Sequence, residues 1–283
     1  MKRLNLIYVK SNDINYADIK YLEKRFAKQK GSVSCDSIEI DLEDGSKEFV
    51  ELMKYIEDNH MPHTIVREYL KFTDEEWEKT PYFRMLPGWI QDFKGGCEDY
   101  GTEIMYEQCA GCKSGALQLT SACFPVSEVK KKEDIFFLFP ALIVSARLKK
   151  GLEEIKATGC LFKEIIDTES GRRNSNFFQI VIDTCLPSVS SRVVETGKCK
   201  VCNRKLIDYE GTVKYKEEDF FEKKDFYMMA ESIHHKYGLG PYRHYGFVVS
   251  KRVKDVLRKF HAAICIPVYI EGMFERREDE LAR

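Results

Sequence analysis

Residues 143–162, IVSARLKKGLEEIKATGCLF, recur later in the chain as residues 248–267, VVSKRVKDVLRKFHAAICIP. The two stretches align without a gap at a constant offset of 105 residues. Identical aligned positions include Val144/Val249, Ser145/Ser250, Arg147/Arg252, Lys149/Lys254, Leu152/Leu257 and Cys160/Cys265. Because self-similarity at a fixed offset is typical of a structural repeat, we expect one unit to occur twice.

Each copy has the pattern of a strand, a helix and a second strand. The first apolar run ends at a serine, Ser145 or Ser250, and serine is favoured at a helix N-cap. Apolar residues then follow at helical spacing: Leu148, Leu152 and Ile155 in the first copy, and Val253, Leu257 and Phe260 in the second. We therefore expect residues 144–160 and 249–265 to share one fold. The alternative is two unrelated strand-helix-strand segments.

The similarity extends upstream to a Cys-x-x-Cys pair in each copy. CAGCKSG begins at Cys109 and CKVCNRK begins at Cys199. An Asp-aromatic segment follows each pair at a similar distance, KKEDIFF at 131–137 and EKKDFYM at 222–228. The repeats therefore span about 105–170 and 195–272. The second has extra residues at 229–246, which are rich in glycine and histidine and are expected to form a loop.

The two cysteine pairs predict a shared metal site. Zinc binds four cysteine thiolates tetrahedrally in structural sites, and equivalent turns of a duplicated unit can pack together. The predicted ligands are Cys109, Cys112, Cys199 and Cys202. Three alternatives stay open: a thioredoxin-like redox pair, two pairs without metal, or a site that includes Cys97 or Cys123. The remaining cysteines lie in apolar runs and are expected in the core: Cys35, Cys160, Cys185 and Cys265.

Basic residues fall in the first turn of both predicted helices, at Arg147 and Lys149 and at their equivalents in the second copy. Positive charge there opposes the helix dipole at a cost of about 0.3–1 kcal/mol. Ion pairs with Asp134 and Asp225 are the simplest compensation. The alternative is that the basic residues bind an acidic partner or a phosphate.

Residues 1–104 predict a separate N-terminal α/β region. The expected elements are strands at 3–9 and 37–42 and helices at 17–29 and 46–59. A short helical turn is expected after residue 73, with Thr73 or Asp74 as its cap. The whole chain is thus expected to be α+β, with this region at 1–104 and the duplicated, zinc-ribbon-like region at 105–283.

Composition narrows the function classes. The 283 residues include 45 basic and 46 acidic side chains, so the net charge of −1 argues against broad nucleic-acid binding. No run of about 20 apolar residues suggests a membrane span, and no signal peptide is apparent. The ten cysteines are therefore expected to be reduced thiols in a cytoplasmic protein.

The repeat region resembles the bacterial double-CXXCG motif proteins, a group linked to immunity against polymorphic toxins. The resemblance rests on the two cysteine pairs, on CNRK followed by the DFY segment, and on VVSKRVKDVL, and it covers roughly residues 105–272. It implies a binding protein without catalytic activity, whose partner is a toxin. This chain departs from the pattern at Lys113 and Asn203, where the family name expects glycine. A zinc-ribbon nucleic-acid-binding or regulatory module is the alternative.

Overall fold

The computed structural model describes residues 2–10, 15–26, 37–43, 45–87, 93, 95–130, 132–189, 193–209, 212–234 and 243–273. These residues form two compact units. The first comprises the described residues up to Lys79 together with Thr212, and the second comprises those from Thr80 to Tyr209 and from Val213 onward. The unit that contains the cysteine pairs therefore begins before residue 105.

The first unit is a three-stranded sheet with helices. Its elements are β1 (Lys2–Lys10), α1 (Tyr16–Arg25), β2 (Ser37–Glu43), α2 (Lys47–Asp58), β3 (His63–Lys71) and α3 (Asp74–Lys79). The strand order is β2-β1-β3, and both pairings are antiparallel although strands and helices alternate along the chain. The predicted strands and helices are thus present, but residues 27–29 of the first predicted helix lie outside the described part.

Capping residues define where these helices begin. The side chains of Asn15 and Ser46 accept hydrogen bonds from the first turns of α1 and α2. The hydroxyl of Thr73 accepts from the backbone N–H of Glu76, whose carboxylate accepts from the N–H of Thr73, which is a capping box. Thr73 is therefore the cap of α3, one of the two residues that the sequence offered.

The second unit contains the two repeats, each preceded by one strand. Before repeat 1 lies β4 (Tyr82–Pro87). Repeat 1 contains β5 (Ile104–Cys109), β6 (Ser114–Gln118), β7 (Cys123–Phe124), β8 (Ile135–Leu138), β9 (Ala141–Ser145), α4 (Ala146–Glu154) and β10 (Cys160–Asp167). Short 3₁₀ turns lie at Cys97–Tyr100 and Val126–Glu128.

Repeat 2 has the same order of elements, except that two strands follow its helix where repeat 1 has β10 alone. Before it lies β11 (Arg172–Ile182). It contains β12 (Val193–Lys198), β13 (Lys205–Tyr209), β14 (Lys214–Lys216), a 3₁₀ turn (Glu217–Phe220), β15 (Phe226–His234), β16 (Arg243–Ser250), α5 (Lys251–Lys259), β17 (Ala263–Pro267) and β18 (Tyr269–Glu271). The predicted strand-helix-strand unit is confirmed in both copies. The expected loop at 229–246 is shorter, because strands extend to His234 and resume at Arg243, and residues 235–242 lie outside the described part.

Each repeat contributes most strands of one larger sheet, and that sheet also contains a strand that precedes the other repeat. The pairs β5-β6, β12-β13 and β14-β18 form separate two-stranded sheets. Repeat 1 has the order β7-β10-β11-β9-β8, and repeat 2 has the order β15-β16-β4-β17. Thus β4, which precedes repeat 1, lies between β16 and β17 of repeat 2, and β11, which precedes repeat 2, lies between β9 and β10 of repeat 1. We call β4 and β11 the leading strands. The two repeats exchange them.

The register against β9 and β16 shows that the leading strands are equivalent on that side. Tyr82 of β4 pairs with Ser250, and Phe177 of β11 pairs with Ser145, the corresponding serine. This register aligns YFRMLP (82–87) with FFQIVI (177–182). The leading strand is therefore part of the repeated unit, although only one of its six aligned positions, Phe83/Phe178, is identical.

The predicted ion pairs join each helix to an aspartate that directly precedes β8 or β15. In repeat 1, Arg147 donates to both carboxylate oxygens of the buried Asp134 at 2.5 Å, and Ser145 Oγ donates to Asp134 at 2.5 Å. In repeat 2, Ser250 Oγ lies 2.6 Å from an oxygen of Asp225, and Arg252 lies 3.3 Å from the other. The ion-pair explanation for the two arginines is confirmed.

The first-turn lysines contact the leading strands. Lys149 Nζ lies 4.8 Å from the centroid of the Phe178 ring, and Lys254 Nζ lies 4.9 Å from the centroid of the Phe83 ring. Phe178 and Phe83 are equivalent in the alignment of β11 and β4. Cations stacked on aromatic faces in this way stabilise the contact by about 0.5–2 kcal/mol. Each helix therefore helps to fix a leading strand in its sheet, α4 fixing β11 and α5 fixing β4.

The helices of the two repeats contact each other near equivalent residues. A Cβ at Gly151 would lie 3.3 Å from a methyl carbon of Val256, its counterpart in repeat 2. Arg147 lies over the Phe260 ring, and Arg252 donates to the carbonyl of Ile155, which is the residue equivalent to Phe260. Such reciprocal contacts are expected where two repeats are related by approximate twofold symmetry. Among the described residues, no helix is long and apolar enough to cross a membrane.

Candidate metal centre

The cysteine pairs lie at the turns of two β-hairpins. Cys109 ends β5 and Cys112 precedes β6, whereas Cys199 and Cys202 lie between β12 and β13. In the second turn, the N–H of Asn203 donates to the carbonyl of Cys199 at 2.9 Å. Neither pair lies at a strand-to-helix junction, where a thioredoxin-like redox pair would profit from a helix N-terminus. The two turns are hairpin knuckles.

The structure brings the four predicted ligands together. The Sγ atoms of Cys109 and Cys199 lie 4.0 Å apart, and those of Cys112 and Cys202 lie 3.8 Å apart. All four lie within 4.8 Å of one another. Tetrahedral zinc with Zn–S bonds of about 2.3 Å requires Sγ atoms about 3.8 Å apart. The donor set therefore fits, and the four cysteines can hold a metal ion such as zinc.

The knuckle backbone stabilises the thiolates that a metal requires. The N–H groups of Cys202 and Val201 lower the pKa of Cys199 to about 6, and the Val201 nitrogen lies 3.4 Å from Cys199 Sγ. The N–H of Cys112 lowers the pKa of Cys109 in the same way. Because N–H groups aimed at sulfur favour the charged form, both first cysteines deprotonate more readily than a free thiol.

Burial of the centre is uneven. Cys109, Cys112 and Cys199 are buried and pack with the partly buried Leu206, whereas Cys202 is exposed. Three of the four ligands are thus shielded from water by the hairpins themselves. The fourth lies at the surface of the second knuckle.

Residues just after the second cysteine of each pair adopt left-handed backbone conformations. Lys113 has φ 54° and Asn203 has φ 57°. Glycine is the usual residue in this region of φ, because it lacks a Cβ. These positions are the two at which the chain departs from the glycine of the family name, so the backbone keeps the glycine-like turn without the glycine.

The two hairpins also contact each other directly, independently of any metal. A Cβ at Gly111 would lie 2.3 Å from a methyl carbon of Val201, so only glycine allows the knuckles to approach this closely. Arg204 donates to the Gln108 side chain and, at 2.6 Å, to the hydroxyl of Ser114. This contact between the hairpins is not visible in the sequence, because its residues have no motif of their own.

A partly buried lysine connects the first knuckle to the 3₁₀ turn before β5. Lys113 forms an ion pair with Glu98 and lies 5.8 Å from the centroid of the Phe139 ring. Desolvation lowers the pKa of Lys113. From this left-handed position, the long side chain of Lys113 reaches both Glu98 and Phe139.

The remaining cysteines lie outside the cluster. Cys97 Sγ donates to the carbonyl of Leu138 at 3.3 Å, and burial raises its pKa to about 12. Cys123 Sγ donates to the carbonyl of Ser121. Neither replaces a predicted ligand.

Expectations for the four presumed core cysteines had different outcomes. Cys160 and Cys265 are partly buried, and desolvation raises their pKa values to about 12 and about 11. The expectation is wrong for Cys185, which is exposed because it follows the end of β11. Cys35 lies outside the described residues.

No protein-family model matches this chain, and no curated protein matches it.

Proposed function

We propose that this chain is a non-catalytic binding protein with a structural zinc ion, and that it acts as an immunity protein against a bacterial toxin. It would neutralise the toxin by covering the toxin's active surface. The single observation that carries the proposal is the convergence of four cysteines from two hairpins. A tetrahedral metal with four protein ligands has no open position for substrate, so a metal bound here stabilises the fold.

The choice of zinc rests on the chemistry of the donors. Four thiolates in a tetrahedral arrangement suit zinc, and soft sulfur ligands disfavour magnesium and calcium. The choice of a toxin partner rests on the resemblance of the cysteine pairs and of VVSKRVKDVL to the double-CXXCG motif proteins. Affinity in such complexes comes from a few buried anchors and complementary charge.

The proposal is tested by growth of cells that express the toxin encoded beside this gene. Deleting this gene should harm the cells only when the toxin is present, and its expression should restore growth stoichiometrically. Rescue by far fewer copies than toxin molecules would indicate an enzyme and contradict the proposal. Salt-sensitive binding of the purified protein to DNA or RNA would instead favour the nucleic-acid-binding alternative.

Zinc is tested separately on the purified protein. Elemental analysis should find about one zinc per chain, with Zn–S distances near 2.3 Å by X-ray absorption. Fully folded protein without metal would contradict a structural role. This measurement does not depend on the identity of the partner.

A further inference from the structure

A cavity of about 630 Å³ opens in the second unit beside the first knuckle. Its walls come from β6 and the residues that follow it, from the turn between β8 and β9, from the end of β11, and from β15 and β16. It therefore lies where the two repeats meet. It is distinct from the cysteine cluster, none of whose four residues lines it.

Most of the cavity wall is apolar. Phe137, Leu142 and Phe247 line it and are themselves buried, and Leu117 lines it with 45% of its surface exposed. The amides of Gln118 and Gln179 also line it, but they hydrogen-bond to each other at 2.8 and 2.9 Å. The wall thus offers a ligand more apolar than polar surface, and two of its polar side chains are already paired with each other.

The charge of the lining is one-sided. Among the lining residues that the structure describes, two are lysines, Lys113 and Lys163, and none is an aspartate or glutamate. Lys113 is already paired with Glu98. Lys163 is exposed and, in the described part of the chain, has no ion-pair partner. One positive charge at the cavity is therefore available to a ligand.

We propose that this cavity binds a free single-chain amphiphile with an anionic head, namely a long-chain carboxylate. Its chain lies against Phe137, Leu142 and Phe247, and its carboxylate lies at the ammonium group of Lys163. The volume falls within the range of about 300–1,000 Å³ that is typical of small-molecule pockets. A concave site of this volume suits a small ligand. A folded protein would instead cover a surface of about 800 Å². The proposal does not depend on the proposed toxin partner.

The test is titration of the full-length, zinc-loaded protein with dodecanoate below its micelle concentration. Binding should saturate at one dodecanoate per chain. Dodecanol and dodecyltrimethylammonium have the same chain with a neutral or a positive head, and they should bind at least about tenfold more weakly, a difference of about 1.4 kcal/mol. Circular dichroism during the titration should show that the protein stays folded.

Matched variants separate the two parts of the ligand. Lys163→Glu should weaken dodecanoate binding at least tenfold, whereas Lys163→Arg should retain it. Lys259→Glu makes the same charge change at an exposed residue of α5 outside the cavity, and it should leave binding unchanged. Leu117→Gln should weaken binding, and Leu161→Gln, at an exposed leucine that does not line the cavity, should not.

Three results would overturn the proposal: no saturable binding of dodecanoate, equal binding of dodecanol, or unchanged affinity in Lys163→Glu. The comparison of the three ligands uses the unaltered protein, so it tests the proposed anionic specificity even if a variant fails to fold.

Discussion

Asn203 and Lys113 occupy the same strained position in the two knuckles. An L-residue in the left-handed conformation costs roughly 1–2 kcal/mol, and asparagine tolerates it better than most residues. Lys113 offsets this cost through its ion pair with Glu98 and its contact with Phe139. Asn203 is exposed, so its backbone conformation dominates the effect of a substitution.

We expect Asn203→Gly to leave stability unchanged or raise it slightly, and Asn203→Val to destabilise the protein by about 1–2 kcal/mol. The reason is that a β-branched residue is poorly accommodated at φ 57°. The free energy of unfolding in urea measures the difference. Lys200→Val is the control, because Lys200 is exposed in the same turn. An Asn203→Val protein as stable as the parent would contradict the assigned conformation.

Cysteine substitutions distinguish ligands from packing residues. Cys199→Ser should lose tightly bound zinc and leave the repeat region poorly folded, because the hydroxyl replaces a thiolate that the knuckle N–H groups hold. Cys160→Ser should keep the metal despite a cost in packing, because Cys160 lies outside the cluster. Zinc content and circular dichroism measure both effects. Zinc retained by Cys199→Ser would remove Cys199 from the ligand set.

At the level of elements, the sequence predicted the features that depend on neighbouring residues, namely where helices begin and which of their faces are apolar. The serine caps and the helical faces involve residues close in sequence, such as Ser145 and Leu148. The Arg–Asp pairs occur at equivalent positions of the two repeats. The four cysteines were also predictable, because duplication implies that equivalent turns meet.

The exchange of leading strands could not be predicted in the same way. β4 and β11 align with one identical residue, Phe83 and Phe178. β11 follows its partner β10 directly, but its other partner, β9, lies across a helix, and both partners of β4 lie in the more distant repeat. Pairing between strands far apart in sequence depends on tertiary packing rather than on local pattern. The exposure of Cys185 was missed for a similar reason, since an apolar run does not reveal where a strand ends.

The exchange of leading strands predicts which repeat loses stability when a residue of a leading strand is substituted. Phe83→Ala should destabilise the protein by about 3–5 kcal/mol, because Phe83 is fully buried against Lys254. Hydrogen exchange should accelerate most in β16, β17 and α5 of repeat 2. Phe178→Ala, at the equivalent residue, should affect β9, β10 and α4 of repeat 1. Loosening by Phe83→Ala in repeat 1 instead would contradict the exchange.

At the scale of the whole molecule, the candidate metal centre belongs to one unit only. It joins hairpins whose cysteines are 90 residues apart in sequence, so a bound metal restricts a long stretch of the unfolded chain. The first unit has its own buried cluster, which extends from Ile7 to Met61 and includes no residue of the repeats. The stability of the first unit should therefore not depend on zinc.

We expect removal of zinc by a strong chelator to affect the two units differently. Amide hydrogen exchange should accelerate in β5, β6, β12 and β13, because the hairpins then lose the shared metal and keep only direct contacts such as Gly111–Val201 and the hydrogen bonds of Arg204. Exchange in β1, β2 and β3 should stay as slow as in the zinc-loaded protein. Added zinc should restore protection, and Cys160→Ser should behave like the parent. Equal loosening of both units would show that they unfold together, and unchanged hairpins would show that the four thiolates do not hold a structural metal.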